Sequence, residues 1–271
     1  MTRKAGLNSN TLKLLAVVAM ICQHVTIFFI PTTNPWYYPL FCFGMITAPI
    51  MCFFIAEGYY HTHSRRKYLE RLLLGAVISH VPHALACGFP VGELWRYTSV
   101  MWSLFLGLLA LIVYEKKEIA WIWRMAFVGL CCILAYPGNW NFVAVIWIWG
   151  FGVFRDQPWK KWGMFLVDFG VHVALFFVVQ TNGTLWTRFA VLAAIPMLLL
   201  YNGQRGRKSK WYQWGYYLIY PIHFMVLYAI ELLIRKKSGG GQKSCICKMK
   251  VDTHKSVGVY FFRSIMNMER K

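Results

Sequence analysis

Histidines and carboxylates stand inside long apolar stretches of this 271-residue chain. An ionisable group there is costly to keep, which makes each one a candidate for chemistry. His24 lies in the apolar run 11–31 and His223 in the run 213–234. At ~1.5 Å per helical residue they sit ~20 Å and ~14 Å along their helices, in the middle third of a bilayer. An imidazole kept neutral by a low-dielectric setting can take a proton from an attacking group. His24 is the first candidate base and His223 the second. Glu57, near the end of the run 39–60, is a candidate orienting or proton-accepting group. His80 and His83 are three residues apart and share one helical face, while Asp168 and His172 are four apart, where a carboxylate can orient an imidazole. The plainer reading of any one of these histidines is a hydrogen bond between helices. A bis-histidine haem would need a facing pair at matched depth, which the sequence does not mark. No metal is expected, because Cys245 and Cys247 form a C-x-C with no second pair.

A second kind of residue gathers between the apolar runs. Arg65, Arg66 and Lys67 follow Glu57, and Arg205, Arg207 and Lys208 precede the last run. Guanidinium and ammonium groups clustered at a membrane mouth can hold the phosphates of a cosubstrate such as coenzyme A. The same residues also serve simply to fix membrane topology, and position alone does not separate the two roles.

The elements that must carry these residues are helices. The chain is 58% hydrophobic, 18% aromatic and only 14% charged, with a mean hydropathy of +0.45. Its apolar runs fall near 11–31, 39–60, 68–89, 98–114, 119–136, 141–155, 161–180, 185–201 and 213–234. Runs of this length and spacing predict an all-α, polytopic integral membrane helix bundle of about nine transmembrane helices. Within the net charge of +19, Lys and Arg recur in alternate connectors, around Arg66, Lys117, Lys160 and Arg207. Anionic lipid headgroups and a phosphorylated cosubstrate, not nucleic acid, are therefore the expected counter-charges. The same alternation predicts a multi-pass protein of the cell (plasma or inner) membrane with a cytoplasmic N-terminus. Residues 1–237 form the expected membrane domain. The stretch 238–271 opens on Ser-Gly-Gly-Gly, is basic, and reads as a disordered or aberrant tail.

Taken in order, several blocks resemble the TraX family of membrane proteins. Leu12-Lys13-Leu14-Leu15 through Cys22-Gln23-His24 is similar to that family's opening helix, which usually ends in Asp-His. Ala56-Glu57-Gly58-Tyr59-Tyr60-His61-Thr62, Ser99-Val100-Met101-Trp102, Tyr201-Asn202-Gly203-Gln204-Arg205 and Tyr220-Pro221-Ile222-His223 resemble later blocks, collinear over about residues 7–234. The resemblance implies an acetyltransferase that takes acetyl-CoA as cosubstrate and delivers to an acceptor protein N-terminus or an envelope glycan. Gln23, where relatives usually carry Asp, and Met45, where they often carry Arg, depart from the pattern. A small proton-coupled transporter and a non-catalytic membrane assembly factor are the rival classes.

The orientation is open to direct measurement. Single cysteines placed in a cysteine-free background near Arg66, Lys117, Lys160 and Arg207 should react with a membrane-impermeant maleimide only after the cells are opened. Labelling of the Arg66 connector in intact cells would reverse the topology.

Overall fold

The computed structural model describes residues 6–88, 98–179, 185–206 and 210–237. The Arg207 and Lys208 positions and the 238–271 stretch lie outside the described residues. Helix α1, Ser9–Phe29, starts where the Asn8 side chain accepts the Thr11 N–H at 3.0 Å, a side-chain cap that satisfies a donor the helix itself leaves orphaned. The second apolar run is two helices, α2 (Tyr37–Gly44) and α3 (Thr47–His61). Pro49 has no N–H to offer the carbonyl of Met45, so the chain bends at Met45–Ile46 and restarts. Ser64 caps α4, Arg65–Cys87, which stops at Gly88 in the left-handed conformation, φ +71°.

Helices α5 (Val100–Tyr114), α6 (Trp121–Leu134), α7 (Asn141–Val153) and α8 (Pro158–Val179) follow. The eighth apolar run departs from the expected continuous helix. It is a 3-10 helix, Leu185–Ala193, leading into a short α9, Ala194–Leu199. Pro196 cannot donate to the Leu192 carbonyl, which breaks an α-helical ladder at that joint. The chain closes with α10, Lys210–Lys237.

No strand occurs among the described residues beyond two isolated bridges, Leu7 with Tyr201 and Thr98 with Gly138. All the described elements are therefore helical, as the class requires. Three stretches are long and apolar enough to cross a membrane unaided: Ser9–Phe29, Tyr37–His61 and Trp214–Ile234. The helices Val100–Tyr114, Trp121–Leu134 and Asn141–Val153 and the Leu185–Leu199 stretch are apolar but shorter. Length and apolar composition together thus single out only part of the nine expected spans.

Helix α7 is the hub, packed by α3, α5, α6 and α8, with Val143, Ala144, Val145, Trp147 and Ile148 sealed from any solvent. The outside of the bundle is apolar instead: Val77 and Val81 on α4, Ile122 and Ile133 on α6, and Val167 and Val171 on α8 are exposed. Lipid is the solvent that such a surface suits, and the helix satisfies its own backbone there.

Contacts define two ends. At one, the N-terminal segment lies along 200–206, with the Leu7 N–H donating to the Leu200 carbonyl at 2.8 Å. The Tyr60 hydroxyl there donates to the Gly152 carbonyl at 3.0 Å, joining α3 to α7. At the other, Tyr38 packs on Trp186 and the Thr98 N–H donates to Pro137. We call the first the basic end.

Close packing of α5 on α7 depends on Gly107. A Cβ there would come within 2.6 Å of Ile148 Cδ1 and 3.3 Å of the Ala144 carbonyl oxygen, and without a hydrophobic drive between helices in lipid, such small-residue contacts hold the bundle. Gly107→Val should cost about 1–3 kcal/mol by overpacking, lowering the unfolding midpoint in detergent. Gly129→Val on α6, where nothing lies within 4 Å, is the control and should change little.

Candidate functional site

Helices α1 and α10 meet at two imidazoles. His24 Nδ1 and His223 Nε2 are 3.1 Å apart, and both rings are buried. The other ring nitrogen of His223, Nδ1, lies 3.0 Å from the Ile219 carbonyl. A carbonyl only accepts, so His223 Nδ1 carries a proton. In the neutral pair His223 Nε2 is then an acceptor, His24 donates from Nδ1, and the lone pair of the couple resides on His24 Nε2. Pro221 sits two residues before His223 inside α10. Its missing N–H opens the helix locally, a break tolerated in membrane helices where neighbours satisfy the freed groups. Phe224, fully buried, holds the pair in place. Its ring centroid is 4.7 Å from that of His24 and 4.3 Å from that of His223, and His83 meets it edge-on at 5.1 Å.

A cavity runs beside this pair. His24 and Gln23 of α1, Thr47 of α3, Met101 of α5, Trp140 before α7 and Tyr220 of α10 line it, around a space of about 70 Å³. The lining extends from Tyr216, at the basic end of α10, to Asn139 and Trp140 at the opposite end. His24 is therefore on the wall of a space that runs along the bundle, with His223 behind it.

Glu57 is elsewhere. Its carboxylate accepts from His61 Nε2 at 2.9 Å and pairs with Arg155 at 3.8 Å, with no bond to His24. Around it the basic end collects cations. Lys13 Nζ lies 5.1 Å above the Phe54 ring and 5.9 Å from that of Tyr216, and it is within electrostatic reach of Glu57 and Arg205. Lys161 lies over Phe53 at 5.7 Å, and Arg155 over Tyr60 at 4.7 Å. Asp156 and Glu57 only partly offset these charges. Aromatic faces stabilise each cation without neutralising it, which leaves them available to an anion.

The cations singled out from the sequence are placed differently. Arg65 stacks on Tyr59 at 4.3 Å. Arg66 turns outward to Glu70 at 2.9 Å, its side chain 90% exposed. Lys67 is exposed, and Arg205 is exposed while its carbonyl accepts the Ser9 hydroxyl at 3.0 Å. Lys13 and Lys161, both within electrostatic reach of Glu57, gather there with Arg155, and Lys13 went unweighed in the sequence. Its signal was there: a lysine within the first apolar helix is as costly as a histidine.

Two further sequence expectations have structural answers. No hydrogen bond joins Asp168 to His172 despite their spacing; Asp168 Oδ2 and His172 Nε2 are buried without hydrogen-bond partners, and the His172 ring stacks on Trp140 at 5.9 Å. The two departures, Gln23 and Met45, touch each other, Gln23 Nε2 lying 3.3 Å from Met45 Sδ. They are one site, not two. Met45 is only 2% exposed, so Met45→Arg alone buries an unpaired guanidinium and should lower stability by about 3 kcal/mol. Adding Gln23→Asp should recover at least about 1 kcal/mol, read as the coupling in a double-mutant cycle of unfolding midpoints; strict additivity would separate the two positions.

Comparison with known proteins places this arrangement in a family. A curated relative, "Probable fimbrial assembly protein FimC, serogroup H1" of Dichelobacter nodosus, is 25% identical over 252 residues, covering 87% of this chain and 100% of the relative. No solved structure matches. The family model described as TraX protein matches residues 8–231, spanning α1 through most of α10 and both histidines of the pair, and the chain belongs to the TraX family.

Proposed function

We propose that this chain is a membrane-embedded acetyltransferase that moves an acetyl group from acetyl-CoA to a protein N-terminus or an envelope acceptor. The observation that carries this reading is the His24–His223 pair, with His24 on the wall of a cavity whose lining extends from Tyr216 to Trp140. Acetyl transfer from a thioester needs a base for the proton of the attacking group. The tautomer held by the Ile219 carbonyl leaves that base at His24 Nε2, and His223 stabilises the imidazolium as it forms by accepting from Nδ1.

In this reading the acceptor's heteroatom attacks the acetyl carbonyl carbon as His24 takes its proton. The tetrahedral oxyanion collapses, the carbon–sulfur bond breaks, and the leaving thiolate recovers the proton from His24. Glu57 does not act on the base. It anchors Arg155 and His61 at the basic end. The phosphates of acetyl-CoA bind there, on Lys13, Arg155, Lys161 and Arg205, with Arg65, Arg66 and Lys67 adding a basic rim. The thioester then passes Tyr216 to reach His24. With the N-terminus cytoplasmic in the plasma or inner membrane, the donor enters from the cytoplasm and the acceptor from the Trp140 end.

A second reading draws on the relative's name. A protein of fimbrial assembly can serve the building of a surface fibre without catalysis, as a membrane assembly factor.

Labelled acetyl-CoA and the full chain in lipid nanodiscs separate the readings. His24→Ala should lower transfer by about 10²–10⁴-fold. His24→Gln keeps a donor for His223 but supplies no basic nitrogen, and should be nearly as inactive. Near-normal transfer by the Gln variant would make the pair a strut between helices, and absence of transfer by the wild-type chain would favour the assembly role. Lys13→Gln should raise the KM for acetyl-CoA about ten-fold, the worth of one charge-assisted phosphate contact, with little change in kcat.

A further inference from the structure

Arg124 is a cation that the candidate site leaves unused. It stands in the first turn of α6, a helix that buries only Val128 and Cys131 and turns most of its surface outward. A guanidinium has five N–H donors and keeps its charge. Its Nη1 donates to the Tyr114 carbonyl at 2.9 Å, at the end of α5, while the buried Nε finds no acceptor. The guanidinium lies 5.1 Å from the centroid of the Tyr114 ring, and Lys117 Nζ lies 5.2 Å from the same centroid. Trp149 of α7 meets that ring edge-on at 5.3 Å and holds it. One ring thus gathers two cations, and an aromatic face steadies a cation without cancelling its charge. The carboxylates of the connector do not cancel it either. Glu115 is within electrostatic reach of Tyr59 and Tyr60 on α3, and Glu118 is exposed. Among the described residues no carboxylate lies within ion-pair distance of Arg124 or Lys117. Ala120, ahead of α6, has no side-chain oxygen to cap the helix, so the positive end of its dipole adds to the same attraction.

We propose that this corner between α5 and α6 seats one phospholipid of net negative charge, its headgroup phosphate between Arg124 and Lys117. A fork of N–H donors matches phosphate oxygens, and the ammonium adds a second charge. The neighbouring surface suits the rest of the molecule. Trp121 and Trp123, 60% and 69% exposed, flank Arg124 in the chain at the helix end, where indole prefers to lie. Ile122, Ala126, Leu130 and Ile133 recur at helical spacing and are all exposed, an apolar stripe for an acyl chain. The same two charges would attract the phosphates of a soluble nucleotide, but such a ligand has no use for the stripe. No residue of α6 lines the cavity beside His24. The lipid is therefore the occupant we assign, and nothing in its seat depends on acetyl transfer. Bound there, it supplies the counter-charge that an arginine on a lipid-facing helix lacks. It also fastens α6, which packs mainly on α5 and α7, to the bundle.

Native mass spectrometry of the full chain, released from micelles doped with phosphatidylglycerol or with phosphatidylcholine of the same acyl chains, measures the affinity for each lipid. Two cations should favour phosphatidylglycerol by about 20-fold at the tightest site. Lys117→Gln and Arg124→Gln should each weaken that binding about five-fold and leave phosphatidylcholine nearly unchanged. Lys116→Gln removes the same charge from the same connector and should keep the preference. Lys117 is exposed and carries the test if Arg124→Gln, which also loses the bond to Tyr114, does not fold. Coenzyme A, added as a competitor, should not displace the lipid. Equal affinity for the two lipids, or an unchanged preference in Lys117→Gln, would overturn the seat. An equal loss in Lys116→Gln would reduce it to diffuse charge, and displacement by coenzyme A would give the corner to a nucleotide; either result ends the assignment.

Discussion

A hydrogen bond between two buried imidazoles, His24 and His223, ties the first helix to the last, and the candidate site is built around it. In water such a bond contributes little, because each ring exchanges it for a bond to solvent. Between α1 and α10 no bulk water competes, and an unmatched nitrogen would pay the full penalty of desolvation. The Ile219 carbonyl decides the tautomer of His223, His223 decides that of His24, and the direction of the chain of donors follows. Phe224 packs on both rings and on His83, so the couple is held by apolar contact as well as by the bond. Helices far apart in the sequence are thereby locked at one depth.

Polarity along the bundle follows from a second constraint, the separation of charge between its ends. Lys13, Arg155 and Lys161 lie over the rings of Phe54, Tyr60 and Phe53, with Glu57 tying Arg155 to His61. Aromatic faces let cations sit at the edge of an apolar interior that would otherwise exclude them. The cavity lining includes Tyr216 toward this end and Trp140 toward the other.

The pairing of Gln23 with Met45 alters how the family's departures are weighed. Read along the chain, Gln23 removes a carboxylate next to a candidate base and Met45 removes an unrelated arginine. In the fold the two side chains are in contact, and Glu57 is bonded to other partners. A carboxylate at 23 would therefore face an arginine at 45, and replacing both leaves a neutral contact where an ion pair would be. Losing both charges together costs far less than losing one, since no charge is left buried alone.

The all-helical membrane class was legible in the sequence, because burial in lipid is a property of composition over a window of some twenty residues. His24 and His223 were legible as candidates for the same reason: a polar residue within such a window is conspicuous wherever its partner lies. The breaks at Met45–Ile46 and near Pro196 were less so, since proline permits several local outcomes and packing chooses among them. Spacing suggested that Asp168 would serve His172, and it does not; four residues bring two side chains to one face without setting their rotamers. What only the tertiary structure decided is which distant residues meet: His24 with His223, Gln23 with Met45, Glu57 with Arg155 and Lys13 with Phe54 and Tyr216. Composition fixes the solvent each helix prefers, but the rotation of one helix about its axis relative to another is set by the interlocking of side chains across their interface, which no single helix encodes.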